Sequence, residues 1–187
     1  MVLPEYPFID VRDYLELDAK ALSVKYEYFN GRLRILAGNS LDHSIIAVNI
    51  VSILHGALRK TPCTVYTSDI HFKISEAHYV HPDVTVGCDE RDKGKKDNIQ
   101  YPRLLVEVLS LSTTNIDKGE KLEAYLDCPS VEEYMLVDSR KKMVEVYHRD
   151  GNTWMSRLYK PDDTVYLRSI DVSISFEDIY EKTSLVE

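Results

Sequence analysis

The 187-residue sequence is poor in cysteine, tryptophan, glycine and proline, with 3, 1, 7 and 7 residues respectively. The cysteines, Cys63, Cys88 and Cys128, are an odd number without Cys-x-x-Cys spacing, which argues against a disulfide framework or a zinc site. We expect three small, half-buried thiols in a reducing, cytoplasmic compartment. The chain has no repeats and no Gly- or Pro-rich linker. One domain is therefore predicted over 1–187, with an N-terminal cap at 1–24 and a core at 25–187.

Long apolar runs and an excess of basic residues are also lacking. The longest apolar stretch, Ile45 to Leu58, contains Asn49, Ser52 and His55 and falls short of the roughly 20 apolar residues that span a bilayer, so no membrane span is expected. The acidic N-terminal segment lacks the features of a secretory signal. With 23 Lys and Arg against 31 Asp and Glu, the net charge of −8 opposes nucleic-acid binding unless a metal supplies positive charge.

Hydrophobic periodicity predicts a chain that mixes helices and strands, of the α+β or α/β class. Apolar residues at helical spacing predict helices at 9–17, 40–60 and 113–127, with a last short helix after Ser175. The dipeptides Asn30-Gly31 and Asp150-Gly151 predict tight hairpin turns. Strands are predicted at 25–29, 32–36, 63–66, 70–74, 80–86, 103–110, 133–137, 143–148, 153–158 and 164–167.

Two acidic residues interrupt strands that are otherwise apolar. Asp83 follows Pro82, and Glu107 lies in a strand that is apolar on both faces, as expected of a central strand. If the two strands are neighbours, the carboxylates converge. Buried carboxylates need a partner, and together with the main-chain carbonyl of Val108 they offer the oxygen ligands that Mg²⁺ or Mn²⁺ prefers. The alternative is an ion-pair network without a metal.

The predicted helix at 113–127 adds a lysine to this region. Asp117, Lys121 and Tyr125 follow one another at four-residue spacing and therefore share one face of the helix, which begins close to Glu107. A lysine beside a metal can orient a water molecule and stabilise charge on a phosphoryl group. Asp117 is expected to position Lys121 through an i,i+4 ion pair. A solvated helix lysine is the alternative.

Three segments carry a resemblance to a known family. They are YEYFNG at 26–31, HPDVTVG at 81–87 and RLLVEVLSLSTTNIDKGEKLEAYLDCPSVEEYMLVDSRKKMVEVYHRDG at 103–151. The sequence resembles the Uma family of restriction-endonuclease-like proteins, long catalogued as a domain of unknown function within the PD-(D/E)XK nuclease superfamily. The resemblance implies a restriction-endonuclease-like core, in which a mixed central β-sheet is flanked by helices, with extra antiparallel strands at the C-terminal end.

The resemblance also implies roles for individual residues. Asp83 and Glu107 match the metal-binding carboxylates, and Lys121 stands in for the motif's lysine after migration from the strand to the helix. In the superfamily the motif's lysine usually lies two residues after the second acid. Here that position is Leu109, and an apolar residue at this position is usual in the Uma family. Glu27 matches an early acidic residue, and the helix at 40–60 begins with a matching histidine, His43.

Other patterns leave alternatives open. His78, His81 and Asp83 form a His-x-x-His-x-Asp pattern that suggests a transition-metal site, but the spacing puts the two histidines on opposite faces of one strand. We therefore expect His81 at the edge of the cleft. The loop at 91–96 is either a solvated loop or a flap that contacts phosphates through its lysines Lys93, Lys95 and Lys96.

Two functions remain in view. The first is a Mg²⁺-dependent endonuclease with a PD-(D/E)XK-type site, and the second is a non-catalytic interaction or regulatory module that keeps a nuclease fold. For the nuclease we expect weak, salt-sensitive engagement of DNA, because the chain is acidic. Geometry and family favour a homodimer, since cutting two strands pairs two active sites.

Overall fold

The computed structural model describes residues 8–21, 24–36 and 40–185. Within these ranges the helices are α1 (Val11–Lys20), α2 (Leu41–Leu58), α3 (Thr114–Asp117), α4 (Glu120–Asp127) and α5 (Phe176–Tyr180). The strands are β1 (Tyr26–Phe29), β2 (Arg32–Ile35), β3 (Thr64–Thr67), β4 (His71–Ser75), β5 (His78–Val80), β6 (Val84–Gly87), β7 (Asn98–Ile99), β8 (Pro102–Leu109), β9 (Glu133–Asp138), β10 (Val144–Asp150), β11 (Thr153–Tyr159), β12 (Thr164–Leu167) and β13 (Val172–Ser175).

These strands form three sheets. One has five strands in the order β2-β1-β5-β4-β7, another has six in the order β11-β10-β9-β8-β6-β3, and β12 pairs with β13. The six-stranded sheet is mixed, because β8 and β9 run parallel whereas its other pairs are antiparallel. Antiparallel strands β10 and β11 extend it at one edge. The predicted fold class, a mixed sheet flanked by helices with additional C-terminal antiparallel strands, is confirmed.

The first hairpin sets a register that matters for the site. Asn30 and Gly31 have φ angles of 46° and 85°, the left-handed conformation that a two-residue turn requires. The turn fixes the pairing of β1 with β2, and Glu27 therefore lies opposite Arg34. The predicted hairpin is confirmed.

Helix α2 packs its apolar face in the core. Its N-terminus is capped by Ser40, whose hydroxyl accepts a hydrogen bond from the N–H of His43. The helix buries Ile46, Ile50, Leu54 and Leu58 in one cluster with valines of β6 and β8. Its length and mean hydropathy of 1.4 are those of a membrane span, properties that core helices share. Burial of this face is the physical reason for its apolar composition.

Strand β8 is buried on both faces, as its sequence predicts. Val106 and Val108 pack in the cluster on the α2 side. Leu105 and Leu109 pack in a second cluster that includes Tyr125 of α4. By strand alternation, Glu107 points to the side of this second cluster. The sheet thus presents a buried carboxylate to helix α4.

Two predicted elements are interrupted. The predicted strand at 80–86 is two strands, β5 and β6, which belong to different sheets and are joined through Pro82. Asp83 therefore precedes β6 and is not itself a strand residue, although the predicted strand included it. The predicted helix at 113–127 breaks into α3 and α4 at Gly119, where a Cβ atom would lie 2.7 Å from the carbonyl oxygen of Asn115.

The expectation of three free thiols is wrong for two of them. Cys63 precedes β3 and Cys88 follows β6, and the antiparallel pairing of these strands places the two cysteines opposite each other. They form a disulfide. Cys128 is a free, buried thiol. The sequence separation of 25 residues hides this pairing, because it depends on which strands are neighbours.

Candidate active site

Asp83 is held where the two large sheets meet. Its Oδ2 accepts a hydrogen bond of 2.8 Å from the main-chain N–H of Val108. The same oxygen lies 3.3 Å from Nε2 of His43 on α2. Since β6 and β8 pair with Val84 opposite Val106, the carboxylate is directed along the strand that carries Glu107. The strand that follows Asp83 and the strand that carries Glu107 are therefore neighbours, which is the condition set for the two carboxylates to converge.

Lys121 lies at the centre of a buried carboxylate cluster. Its Nζ is 2.7 Å from Oε1 of Glu27, 3.0 Å from Oε1 of Glu107 and 3.5 Å from Oδ1 of Asp117. The Tyr125 hydroxyl donates a 3.0 Å hydrogen bond to the same Glu107 oxygen. The side chains of Lys121, Glu27, Glu107 and Asp117 are at most 5% exposed. We call Glu27, Asp83, Glu107, Asp117, Lys121 and Tyr125 the acidic cluster.

Burial and mutual charge shift the titration of this cluster. Burial, opposed by Lys121 and reinforced by Asp117 and Asp83, raises the pKa of Glu107 well above its usual range. Burial also raises the pKa of Asp117, with Lys121 opposing it. For Lys121, burial alone lowers the pKa, but Glu107, Glu27 and Asp117 together raise it well above its ordinary value. The lysine is therefore a stable ammonium, whereas the ionised forms of Glu107 and Asp117 are disfavoured.

The excess of carboxylates fits a divalent cation. Three carboxylates contact one buried lysine, and the charge of Asp83 also acts on Glu107, so the cluster lacks positive charge when all four are ionised. Asp117 Oδ1 is buried and makes no hydrogen bond among the described residues, with Lys121 Nζ in ion-pair contact at 3.5 Å. A cleft of about 430 Å³, lined in part by His43 and Asp83, opens beside the cluster. The donors are oxygens, as Mg²⁺ and Mn²⁺ prefer.

Arg34 is a site residue that the sequence reasoning missed. Its guanidinium lies 3.4 Å from Oε2 of Glu27 and 2.9 Å from Oε2 of Glu120. It also lies over the ring of Phe29. The Asn30-Gly31 turn is the signal that could have found it, because a two-residue hairpin pairs position 27 with position 34.

Among the described residues, none of the three loop lysines contacts the acidic cluster. Lys93 pairs with Glu90, and Lys95 lies 3.2 Å from Oδ1 of Asp92. Lys96 is exposed in the same loop. For Val108 the contact with Asp83 is made by its N–H. The roles of the three lysines and of the Val108 carbonyl stay predictions.

His81 lies beside the cluster, but its ring is turned elsewhere. Its main-chain N–H donates a 3.2 Å hydrogen bond to Oε1 of Glu27. Its imidazole lies 4.0 Å from that of His71, measured between ring centroids. Burial lowers the pKa of His81 to about 4, and the nearby His71 adds to this effect. Its ring joins a separate group that the sequence pattern did not reveal, Asp18 and His71.

Comparison with a solved structure defines the class of fold. The chain is similar to a protein from Anabaena variabilis ATCC 29413 whose crystal structure is described as "a putative nuclease belonging to DUF820". The TM-score is 0.76 at 18% sequence identity, and the match covers 92% of this chain and 97% of that one. The two proteins therefore share a fold over almost their whole length.

Sequence comparisons identify the family. Residues 11–177 match the Uma2 family, described as "Putative restriction endonuclease". The chain is 34% identical over 177 residues to the uncharacterized protein slr1290 of Synechocystis sp., covering 94% of this chain and 93% of that protein. A second Synechocystis protein, the uncharacterized sll1609, is 30% identical over 157 residues, covering 81% and 87%. The chain belongs to the Uma2 family.

Proposed function

We propose that this protein is an endonuclease that hydrolyses DNA phosphodiester bonds with Mg²⁺ or Mn²⁺ at the acidic cluster. The observation that carries the proposal is the position of Lys121, whose Nζ lies within 3.0 Å of both Glu27 and Glu107. The lysine comes from a helix, because the strand position that would supply it is the buried Leu109. A nuclease fold and family support the same reaction.

The cation ligands we propose are Asp83, Glu107 and the main-chain carbonyl of Val108. Asp83 and Glu107 are positioned by neighbouring segments of the sheet. The Nε2 atom of His43 contacts Oδ2 of Asp83 and restricts the motion of this carboxylate. When bound there, Mg²⁺ supplies charge neutralisation at the phosphoryl oxygens and lowers the pKa of a water nucleophile. With the cation bound, the carboxylates, which repel DNA on their own, become part of the DNA-binding site.

The other residues of the cluster orient the reacting groups. We assign to the Lys121 ammonium, which three carboxylates hold in place, the role of orienting the attacking water and stabilising the charge that develops on the phosphate. Asp117 and Tyr125 restrict the motion of this lysine and of Glu107, respectively. Glu27 fixes the lysine from the opposite side and is itself held by Arg34. Each of these groups is preorganised before substrate arrives.

Plasmid and single-stranded DNA cleavage with Mg²⁺ or Mn²⁺ tests the proposal. The wild type is compared with Asp83→Ala and Glu107→Ala, and EDTA provides the metal-free control. We expect cleavage that requires the divalent cation and falls at least ~100-fold in both variants, the usual scale for loss of a catalytic electrostatic group. Activity that survives both substitutions would contradict the proposed site. Calorimetric titration with Mn²⁺ that shows no binding in the wild type would instead favour the non-catalytic module.

Substrate capture follows from the same proposal. An acidic chain that binds DNA through a cation and a few lysines engages it weakly, and cleavage falls as salt increases. We propose that Lys93, Lys95 and Lys96 contact phosphates at the edge of the substrate. We also propose that the protein cuts both DNA strands as a homodimer, with one active site for each strand. Substituting the three lysines with alanine is expected to raise the KM for DNA more than it lowers kcat. Sedimentation at the concentration used for cleavage tests the dimer.

A further inference from the structure

A second cluster of possible ligands lies outside the acidic cluster. Asp18 belongs to α1, His71 is the first residue of β4, and His81 follows β5. Each residue offers one ligand atom, and the three atoms all lie within 4.8 Å of one another. The residues come from three separate segments of the chain. Their convergence is therefore a product of the tertiary fold.

The hydrogen bonding of His81 directs one ring nitrogen into this cluster. Its Nδ1 lies 2.8 Å from the main-chain oxygen of Ser68, which can only accept a hydrogen bond. Nδ1 therefore carries the proton, and Nε2 has a free lone pair. Histidine ligands of metals have this arrangement, with one nitrogen anchored on a carbonyl and the other on the metal. Nε2 is buried and has no hydrogen-bond partner among the described residues.

His71 shows the same lack of a partner. Its Nε2 is buried and makes no hydrogen bond within the described part of the chain. It does lie 3.1 Å from Oδ2 of Asp18, in an ion-pair contact. The His81 nitrogen is therefore the costly one when nothing bridges it to this pair, because a buried polar atom without a partner loses its hydration.

We propose that Asp18, His71 and His81 bind a divalent transition metal, with Zn²⁺ as the best match. Two imidazole nitrogens and one carboxylate suit zinc, whereas Mg²⁺ prefers oxygen ligands alone. Three protein ligands leave a fourth position open to water. The metal joins helix α1 to the five-stranded sheet, next to the peptide group of His81 that contacts Glu27.

The geometry requires only a small closure. Zinc–nitrogen bonds of about 2.0–2.1 Å in a tetrahedral site separate ligand atoms by about 3.4 Å. The His71 and Asp18 atoms are already 3.1 Å apart. The three ligand atoms lie within 4.8 Å of one another, so each separation must shorten by no more than about 1.4 Å. His78 is not a member, because its ring packs against Phe29. The proposed site thus pairs His81 with His71 and not with His78 of the His-x-x-His-x-Asp pattern.

Calorimetric titration of the EDTA-treated full chain with Zn²⁺ tests the proposal. We expect one equivalent to bind, with affinity at least ~10-fold weaker in Asp18→Asn and in His71→Ala, since even loss of a supporting partner costs 10–100-fold. His78→Ala is the matched control and should bind as the wild type does. Asp83→Asn should also retain the Zn²⁺ site, which separates it from the acidic cluster.

Thermal unfolding provides the second measurement. Zn²⁺ is expected to raise the Tm of the wild type and of His78→Ala, but not that of Asp18→Asn. Asp18→Asn is nearly isosteric and lies on a partly exposed helix, so it keeps the test valid if His71→Ala fails to fold. No stoichiometric binding, binding unchanged in Asp18→Asn, or binding lost in Asp83→Asn would each overturn the proposal.

Discussion

Lys121 Nζ lies 3.0 Å from Oε1 of Glu107, although the two residues are 14 positions apart and belong to a helix and a central strand. This contact joins the two halves of the acidic cluster. Two carboxylates come from strands and Asp83 from the segment before β6, whereas Asp117 comes from α3 and the ammonium from α4. In the proposed site, this helix lysine takes the place of the strand lysine that Leu109 cannot provide.

Removal of this ammonium should affect both activity and stability. Lys121→Met leaves Glu27, Glu107 and Asp117 buried without their cation, and breaking a buried ion pair in this way costs about 3–5 kcal/mol. We expect that loss in the free energy of unfolding, measured with urea in EDTA. DNA cleavage with Mg²⁺ should fall to background under conditions where the variant is folded.

Lys118→Met is the matched control, because Lys118 lies three residues earlier and makes a more exposed ion pair with Glu145. Such a pair contributes at most about 1 kcal/mol. We expect the Lys118→Met variant to cleave DNA as the wild type does. Equal cleavage by Lys121→Met and the wild type would remove the lysine from the proposed mechanism.

Much of the acidic cluster could be predicted from local sequence rules. The spacing of Asp117, Lys121 and Tyr125 predicts a shared face, and these side chains do converge despite the break at Gly119. The interruption of an apolar strand by Glu107 predicts a buried, partnered carboxylate, as observed. Periodicity is enough in these cases because neighbours along one element set the geometry.

The remainder depends on contacts between distant segments. Pro82 separates β5 from β6, and nothing in the alternation of apolar residues shows that the two strands enter different sheets. The Cys63–Cys88 bond requires the β3–β6 pairing, and the contact between His71 and His81 requires packing of the five-stranded sheet. Periodicity carries no information on any of these pairings.

Gly119 is predicted to be essential for the position of Lys121. A Cβ atom there would lie 2.7 Å from the Asn115 carbonyl oxygen, so Gly119→Ala must shift the junction between α3 and α4. We expect a loss of about 1–3 kcal/mol in the free energy of unfolding, the usual cost of overpacking, with reduced DNA cleavage. Urea unfolding and plasmid cleavage measure the two effects.

Gly56→Ala is the control for this substitution. Gly56 lies within α2, and a Cβ atom there meets nothing within 4 Å. Alanine favours the helix by about 1 kcal/mol at such a position, so this variant should be more stable than the wild type. If Gly119→Ala also stabilises the protein, the steric account of the junction is wrong.

Glu145 should give a pH-dependent contribution to stability. Burial opposes its ionisation, but hydrogen bonds from Lys118 and Tyr147 lower its pKa below the ordinary value of 4.5. Because the folded pKa is depressed, the stabilisation is complete above about pH 4.5 and is lost as pH falls through the folded pKa. It should amount to less than about 1 kcal/mol, since the pair is partly exposed.

A double-mutant cycle measures this contribution. The free energies of unfolding of the wild type, Glu145→Gln, Lys118→Met and the double variant are compared at neutral pH and at about pH 3, below the usual carboxylate range. We expect a favourable coupling energy at neutral pH that disappears in acid. Coupling that persists at the lower pH would show that ionised Glu145 is not its source.

Reduction of the Cys63–Cys88 disulfide should weaken the edge of the six-stranded sheet. The bond closes a loop with a sequence separation of 25 residues and ties β3 to β6, the strand that follows Asp83. Loop-closure entropy of this size corresponds to about 3 kcal/mol. We expect a reductant to lower the free energy of unfolding of the wild type by about this amount, and to have no effect on Cys63→Ser/Cys88→Ser. Cys128→Ser removes the buried free thiol and should retain the response to reductant. A wild type that unfolds identically with and without reductant would contradict the prediction, because the crosslink would then contribute nothing to the folded sheet.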